Sequence, residues 1–296
     1  MLPPLGSRVS LRYRLPEGEV PPHTDVVGHV ERADATVGVR TRHGDLVEVA
    51  ADDVLAVRVI PEMPVRTSQI RNLEHAAALA WPGTEHVWLD GWFLRFGDGH
   101  TRRANSAVPV EAWASPATVP AIVDWYGARG VAPLLAAPDR LLRLRPDVAV
   151  DGANAVLVAD VAPGPLAASV VITDAPDENW RSVDPRAVPD GVLTAVVDGV
   201  VAFATIEGVA AARGAVTSAP DGTRWVGLSA VHVVESARRG GHGRAICDAL
   251  LAWGAGHGAT RAYVQVLDDN AAALGLYAAM GFRTQHGSRY VDARRL

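Results

Sequence analysis

The sequence predicts an α+β protein: a small N-terminal β-barrel followed by two mixed α/β units. Three observations carry that expectation. Five short β-rich runs fill roughly the first 60 residues, helix-period and strand-period patterns alternate from Ser68 onward, and a glycine-rich turn near the C-terminal end joins an apolar strand to an amphipathic helix. At 296 residues two or three domains of ordinary size are expected. Their boundaries read as 1–61, 67–180 and 187–296, with Pro61 and Pro64 marking the first linker and Pro176 with the polar stretch Asp177 to Asp190 the second.

The barrel runs are Arg8 to Tyr13, Asp25 to Arg32, Thr36 to Arg42, Leu46 to Val49 and Val54 to Val59. Pro16, Gly18, Pro21 and Pro22 make the first loop, and His43-Gly44 a tight hairpin. Ser68 then caps a helix carrying Leu73, Ala76, Ala77 and Ala80 on one face, which Trp81-Pro82-Gly83 stops. A hairpin follows, Val87 to Phe96 and Thr101 to Val108, turned by Gly97-Asp98-Gly99. A helix from about Ala117 to Arg129, a short strand near Pro133 to Ala136 and a strand at Ala167 to Thr173 complete the second block. The last block reads as strands at Val192 to Val197, Val200 to Glu207, Arg213 to Ser218 and Gly227 to Val234, a helix at Arg244 to Trp253, a strand at Arg261 to Leu267, a helix at Asn270 to Met280 and a strand at Phe282 to Gln285.

Composition bounds the function. An apolar fraction of 49% with 21% charged residues describes a soluble globular chain, and no apolar run is long enough for a membrane span. The N-terminal residues lack the basic and apolar regions of a secretory signal, so a cytoplasmic location is expected. The single cysteine, Cys247, leaves no intramolecular disulfide framework. A net charge of −5 weighs against a general nucleic-acid binder. All 28 basic side chains are arginine, since the chain contains no lysine.

Between the strand ending at Val234 and the helix bearing Ile246, Ala249, Leu250 and Trp253 lie Arg238, Arg239, Gly240, Gly241, His242 and Gly243. A strand feeding a helix through glycines leaves free backbone N–H groups at a positive helix end, which suits a phosphate, and the arginines add charge-assisted donors. A nucleotide-binding Gly-Lys-Ser/Thr loop is excluded in a lysine-free chain, and the dinucleotide pattern fails because Ile246 holds its third glycine position. Arg238, Gly241 and Gly243 instead match Arg/Gln-x-x-Gly-x-Gly. About 30 residues on, Asn270, Ala273, Leu276, Tyr277, Gly281 and Phe282 fit Asn-x-x-Ala-x-x-Leu-Tyr-x-x-x-Gly-Phe. Asn270 is placed to cap a helix, Ala273 and Tyr277 share its face, and Gly281 ends it.

The two motifs, in this order and context, resemble those of the GNAT superfamily of N-acetyltransferases. The whole chain resembles an actinobacterial subgroup in which an SH3-like barrel and a degenerate GNAT-like half precede the active domain, some members being described as histone or protein acetyltransferases. The resemblance implies acetyl-CoA as cosubstrate and binding by the C-terminal unit. Its pantetheine arm would bond backbone at Val231 and Val233, Arg238 to Arg244 (Arg238, Arg239, Gly240, Gly241, His242, Gly243 and Arg244) would hold the pyrophosphate, and Asn270 and Ala273 would flank the arm. Tyr277 would protonate the departing thiolate.

The resemblance further implies an amine acceptor, preferably a protein lysine or N-terminal amine, with a small-molecule amine and a non-catalytic acyl-CoA-binding regulator as alternatives. The base is open: where many relatives place a glutamate the chain has Gly227, and His232, Glu207 and Glu235 are the candidates. His242, His257, His286 and Cys247 match no zinc spacing, so no metal is expected. Upstream, Trp92, Arg95, Arg102, Arg103, Asn105 and Ser106 are candidates for the acceptor side of the cleft, or for a solvated hairpin.

Overall fold

The structure is a computed structural model that describes residues 5–16, 18–41, 43–59, 65–164 and 169–296. The chain divides into two compact units, Met1–Pro64 and Val65–Leu296.

In the first unit the five expected runs are strands: β1 (Arg8–Arg14), β2 (His23–Ala33), β3 (Thr36–Thr41), β4 (Leu46–Ala50) and β5 (Val54–Val59). They form an antiparallel sheet in the order β4-β3-β2-β1-β5. Alternation puts Val9, Leu11, Val26, Val30, Val37, Val39 and Val49 into one buried cluster. At Gly28 a Cβ would stand 2.1 Å from the Arg40 carbonyl oxygen, so the strands approach there only with glycine.

The second unit is built on one eleven-stranded sheet. Its strands are β6 (Glu85–Leu89), β7 (Trp92–Phe96), β8 (Ser106–Pro109), β9 (Leu134–Ala136), β10 (Asp151–Asp160), β11 (Val171–Thr173), β12 (Val200–Ile206), β13 (Ala210–Ser218), β14 (Arg224–Val233), β15 (Arg261–Leu267) and β16 (Arg283–Asp292). Their order is β11-β12-β13-β14-β15-β10-β16-β9-β8-β7-β6. Among the described residues it carries six α-helices: α1 (Thr67–Leu79), α2 (Val119–Gly127), α3 (Glu178–Val183), α4 (Asp190–Leu193), α5 (His242–Gly256) and α6 (Ala271–Ala279). Because β10 pairs with both β15 and β16, the sheet runs through the boundary expected at 180–187.

Strand β10 is absent from the sequence reading, and its burial explains why. Leu157 packs in the cluster that holds Ile246 and Leu250 of α5, while Val156 and Val158 pack with Leu73 and Ala76 of α1 on the other face. A strand covered on both sides shows a continuous apolar run rather than the alternation that marks a strand.

Several local expectations are corrected. A tight hairpin at Asp90-Gly91, both at positive φ (45° and 84°), splits the expected first strand into β6 and β7; the turn at Gly97-Asp98-Gly99 forms, with His100 N donating to Gly97 O at 2.9 Å, but the reversal from β7 to β8 that it opens is not a tight one. Residues 97–105 form instead a loop clamped by Asn105, whose Oδ1 accepts from the amides of Gly97 (2.9 Å) and Gly99 (3.0 Å). Helix α1 is capped at Arg66 rather than Ser68, with Gln69 Oε1 accepting from the Arg66 amide. The run Val192 to Val197 is not a strand: Val192 and Leu193 close the short α4 and are buried with Trp180 of α3, which lies in the stretch Asp177 to Asp190 that reads as polar linker. Of the strand expected at Ala167 to Thr173, Ala167 and Ala168 lie outside the described residues and Val171–Thr173 is β11.

Candidate active site

The parting of two neighbouring strands makes the site. β14 and β15 run parallel and pair from Trp225↔Arg261 to Leu228↔Val264, and no pair follows. Beyond Leu228, β14 carries an extra residue relative to β13, since Ala211 faces His232 but Arg213 faces Ser229. Ala230 sits within that step at φ 56°. A bulge of this kind bends its strand, and here it turns β14 away from β15. The gap opens into a cavity of about 1170 Å³.

One end of the cavity is the N-terminus of α5. Gly241 is its N-cap at φ 80°, and the first helical bond is Ala245 N to Gly241 O, so the amides of His242, Gly243 and Arg244 have no acceptor within the helix. Arg238 and Arg239 are exposed beside it and meet no carboxylate among the described residues. Arg244 is tied down, donating to the Ala279 carbonyl at 3.1 Å and pairing with Asp248 at 3.4 Å. Gly240 is exposed in the same loop. The expected phosphate loop is therefore brought together at one end of the cleft.

The walls hold most of the remaining expected residues. Val231, His232 and Val233 of β14 are half-buried and line the cavity, as do Asn270 and Ala273. Asn270 Oδ1 accepts from the Ala273 amide at 3.1 Å and caps α6, while its side-chain NH2 has no partner among the described residues. Tyr277 also lines the cavity but is 3% exposed, with its ring edge on Phe282 and its hydroxyl 3.9 Å from Cys247 Sγ. Burial, then the neighbouring thiol, holds the phenol well above its ordinary range. Burial likewise pushes the Cys247 thiol up to about 12, so both groups keep their protons.

Other expected residues lie elsewhere. Glu207 is exposed in the turn between β12 and β13 and does not line the cavity, whereas Glu235 is exposed and does. Gly227 lies under the ring of Tyr263, a residue with no sequence signal. Of the upstream group only Arg103 reaches the cleft. Trp92 is buried against α2, Arg95 is bonded to Ser106, Arg102 is paired with Asp151, and Asn105 clamps its own loop. His286 is buried and bonded to Glu74 at 2.8 Å, and among the described residues no group of three or more His, Cys, Asp or Glu could hold a metal ion. No helix among them is long and apolar enough to cross a membrane.

The chain is similar to proteins described as acetyltransferases. A family model described as "Probable histone acetyltransferase Rv0428c C-terminal" matches residues 67–291, and one described as "Rv0428c N-terminal Sm-like domain" matches residues 3–58. The chain is 49% identical over 293 residues to the "Probable histone acetyltransferase Rv0428c" of Mycobacterium tuberculosis (strain ATCC 25618 / H37Rv), covering 99% of this chain and 96% of the relative. Among solved structures, a GCN5-related N-acetyltransferase from Kribbella flavida superposes with a TM-score of 0.51 at 17% identity, covering 78% of this chain and 96% of that one, a likeness of fold. A putative acetyltransferase of the GNAT family from Novosphingobium aromaticivorans gives 0.49 at 18% identity over 73% of this chain and 95% of that one.

Proposed function

The chain belongs to the family of the probable histone acetyltransferase Rv0428c, a GNAT-type acetyltransferase family, and on that premise we propose that it moves acetyl from acetyl-CoA to a primary amine by direct attack in a ternary complex. The observation that carries this reading is the parting of β14 from β15 beside the open N-terminus of α5, with Tyr277 on the cavity wall.

The cosubstrate supplies a thioester carbonyl. The free amides of His242, Gly243 and Arg244 suit its pyrophosphate, together with Arg239 and with Arg238, whose Nε donates to the Val233 carbonyl at 3.4 Å. The half-paired backbone at Val231 and Val233 suits the amides of its arm, and the free NH2 of Asn270 adds a donor. Catalysis then needs two reactants held together and two protons moved. Tyr277, kept protonated by burial, is the donor to the departing sulfur. His232 is the imidazole on the β14 wall of the cleft and our choice to take the ammonium proton, directly or through a water; Glu207, exposed on its turn, is the weaker choice. Residues 67–180 serve as a GNAT-like half whose loop at Arg103 bounds the acceptor side.

Protein amines follow from the relative's printed name and small-molecule amines are the alternative class; the charge of the cleft separates them. A non-catalytic acyl-CoA-binding regulator is supported by one observation, the glycine at position 227. The test is release of free CoA from acetyl-CoA by purified protein offered lysine peptides, N-terminal peptides and small amines in parallel. Stimulation by one pool, lost in Tyr277→Phe, supports the enzyme. Acetyl-CoA binding by calorimetry with no stimulated release supports the regulator, and no binding overturns both.

A further inference from the structure

Five arginines line the cleft and Glu235 is the carboxylate among its lining residues. Arg238, Arg239 and Arg244 stand at the α5 end and suit phosphates. Arg103 and Arg186 do not belong to that set. Arg103 is tied to the other end through Trp81, whose ring lies 5.7 Å from the Arg103 guanidinium and whose Nε1 donates to Ser229 Oγ at 3.3 Å. Ser229 follows directly on the last β14–β15 pair and is four residues, about 13 Å of strand, from Val233.

Arg186 is already neutralised by Asp184 at 2.8 Å. Arg103 is not: it has no carboxylate partner among the described residues, and its Nε is buried with no hydrogen-bond partner. Behind it, Arg213 lies 4.2 Å over the same Trp81 ring, fully buried and bonded only to the carbonyls of Ala80, Leu193 and Ala195. Glu74, the buried acid of this region, is engaged by His286. Positive charge at this end of the cleft is therefore unbalanced by the protein. A guanidinium that lines the cavity without an anionic partner is costly unless a ligand supplies one.

We propose that the acceptor amine carries a carboxylate, which Arg103 holds at the thioester end of the cleft. The proposal rests on the acetyl-transfer reading and narrows its acceptor. The guanidinium fork matches a carboxylate with two parallel hydrogen bonds. One uncompensated guanidinium at this end of the cavity matches one negative charge, so a carboxylate fits better there than a dianionic phosphate. A lysine within a basic peptide would bring further positive charge to the same place.

The test begins with binding, which needs no turnover. N-acetylglycine and its neutral counterpart N-acetylglycinamide are titrated calorimetrically into protein saturated with CoA. Wild type is expected to bind the carboxylate roughly 10- to 100-fold tighter than the amide, with Arg103→Gln removing the difference and Arg103→Lys keeping part of it. Thermal melts of both variants check that they fold. Equal binding of the two probes, or a preference that survives Arg103→Gln, overturns the proposal. In the turnover arm, Arg103→Gln raises KM for carboxylate-bearing amines by a similar factor and leaves KM for acetyl-CoA unchanged. Acetylation of lysine peptides with no binding of N-acetylglycine overturns the carboxylate site and leaves acetyl transfer standing. Binding through Arg103 with no CoA release from any acceptor upholds the site and counts against acetyl transfer.

Discussion

The ring of Tyr263 lies so close over Gly227 that a Cβ at position 227 would stand 2.3 Å from both its Cζ and its Oη. The place where many relatives carry a glutamate is filled here by a phenol from the neighbouring strand, and burial pushes that phenol up to about 12. Gly227→Glu is therefore expected to destabilise without creating a base. The overpacking costs about 1–3 kcal/mol. Denaturant melts should show the loss, and kcat should not rise; a rise in kcat would mean that the glutamate finds room and that a base is the missing part.

Tyr277→Phe removes one hydroxyl whose described neighbour is the Cys247 thiol. Loss of an acid of this kind lowers turnover by about 100-fold or more. Acetyl-CoA affinity, measured by calorimetry, should stay within about twofold because the ring and its packing on Phe282 remain. Turnover unchanged in Tyr277→Phe would remove Tyr277 from the proposed chemistry.

The raised phenol has a consequence for alkaline stability. Its folded pKa lies above the ordinary value of 10.0, so the folded state holds the proton more tightly and stability falls as pH rises above about 10. The buried Cys247 thiol, pushed up to about 12 by burial, acts with the same sign over that range. Comparing wild type with Tyr277→Phe separates the two. The wild-type melting temperature should fall relative to the variant between about pH 10 and 11.5, and parallel curves would mean that the phenol is not buried as described.

Gly241 caps α5 in the left-handed region, and a Cβ there would meet nothing within 4 Å. Gly241→Ala is thus a test of backbone conformation alone. It should cost about 1–2 kcal/mol of stability. Because that geometry aims the free amides of α5, acetyl-CoA affinity should drop about tenfold or more. Calorimetry beside a thermal melt reads both, and weakened stability with undiminished affinity would place the phosphates elsewhere.

Asn270→Ala removes the acceptor for the Ala273 amide at 3.1 Å. The lost cap should cost about 1 kcal/mol. Asn270→Asp keeps the cap but lacks the NH2, so it should retain stability and still bind acetyl-CoA more weakly; full affinity in Asn270→Asp would confine Asn270 to capping.

The phosphate loop, the Asn270 cap and the Tyr277 face could be read along the chain because each is a local demand on backbone. Glycine at Gly241 answers a positive φ, asparagine answers an open helix end, and a four-residue spacing puts Ala273 and Tyr277 on one helix face. The same kind of reading merged β6 and β7 into one strand, because Asp90-Gly91 and Gly97-Asp98-Gly99 both carry turn chemistry and only pairing shows that the chain reverses at each.

By itself, the sequence determined the order of most strands and helices along the chain, the family, and the residues that suit an acyl donor, since all of these follow from short-range periodicity and motif spacing. Only the tertiary structure brought together the residues proposed for the acceptor side. Arg103, Trp81, Ser229 and Arg213 meet only because β10 enters the sheet beside β15 and because Arg213 reaches a carbonyl, that of Ala80, 133 residues away. A buried charge without a local partner leaves no pattern in sequence, and its environment exists only once distant segments have packed around it.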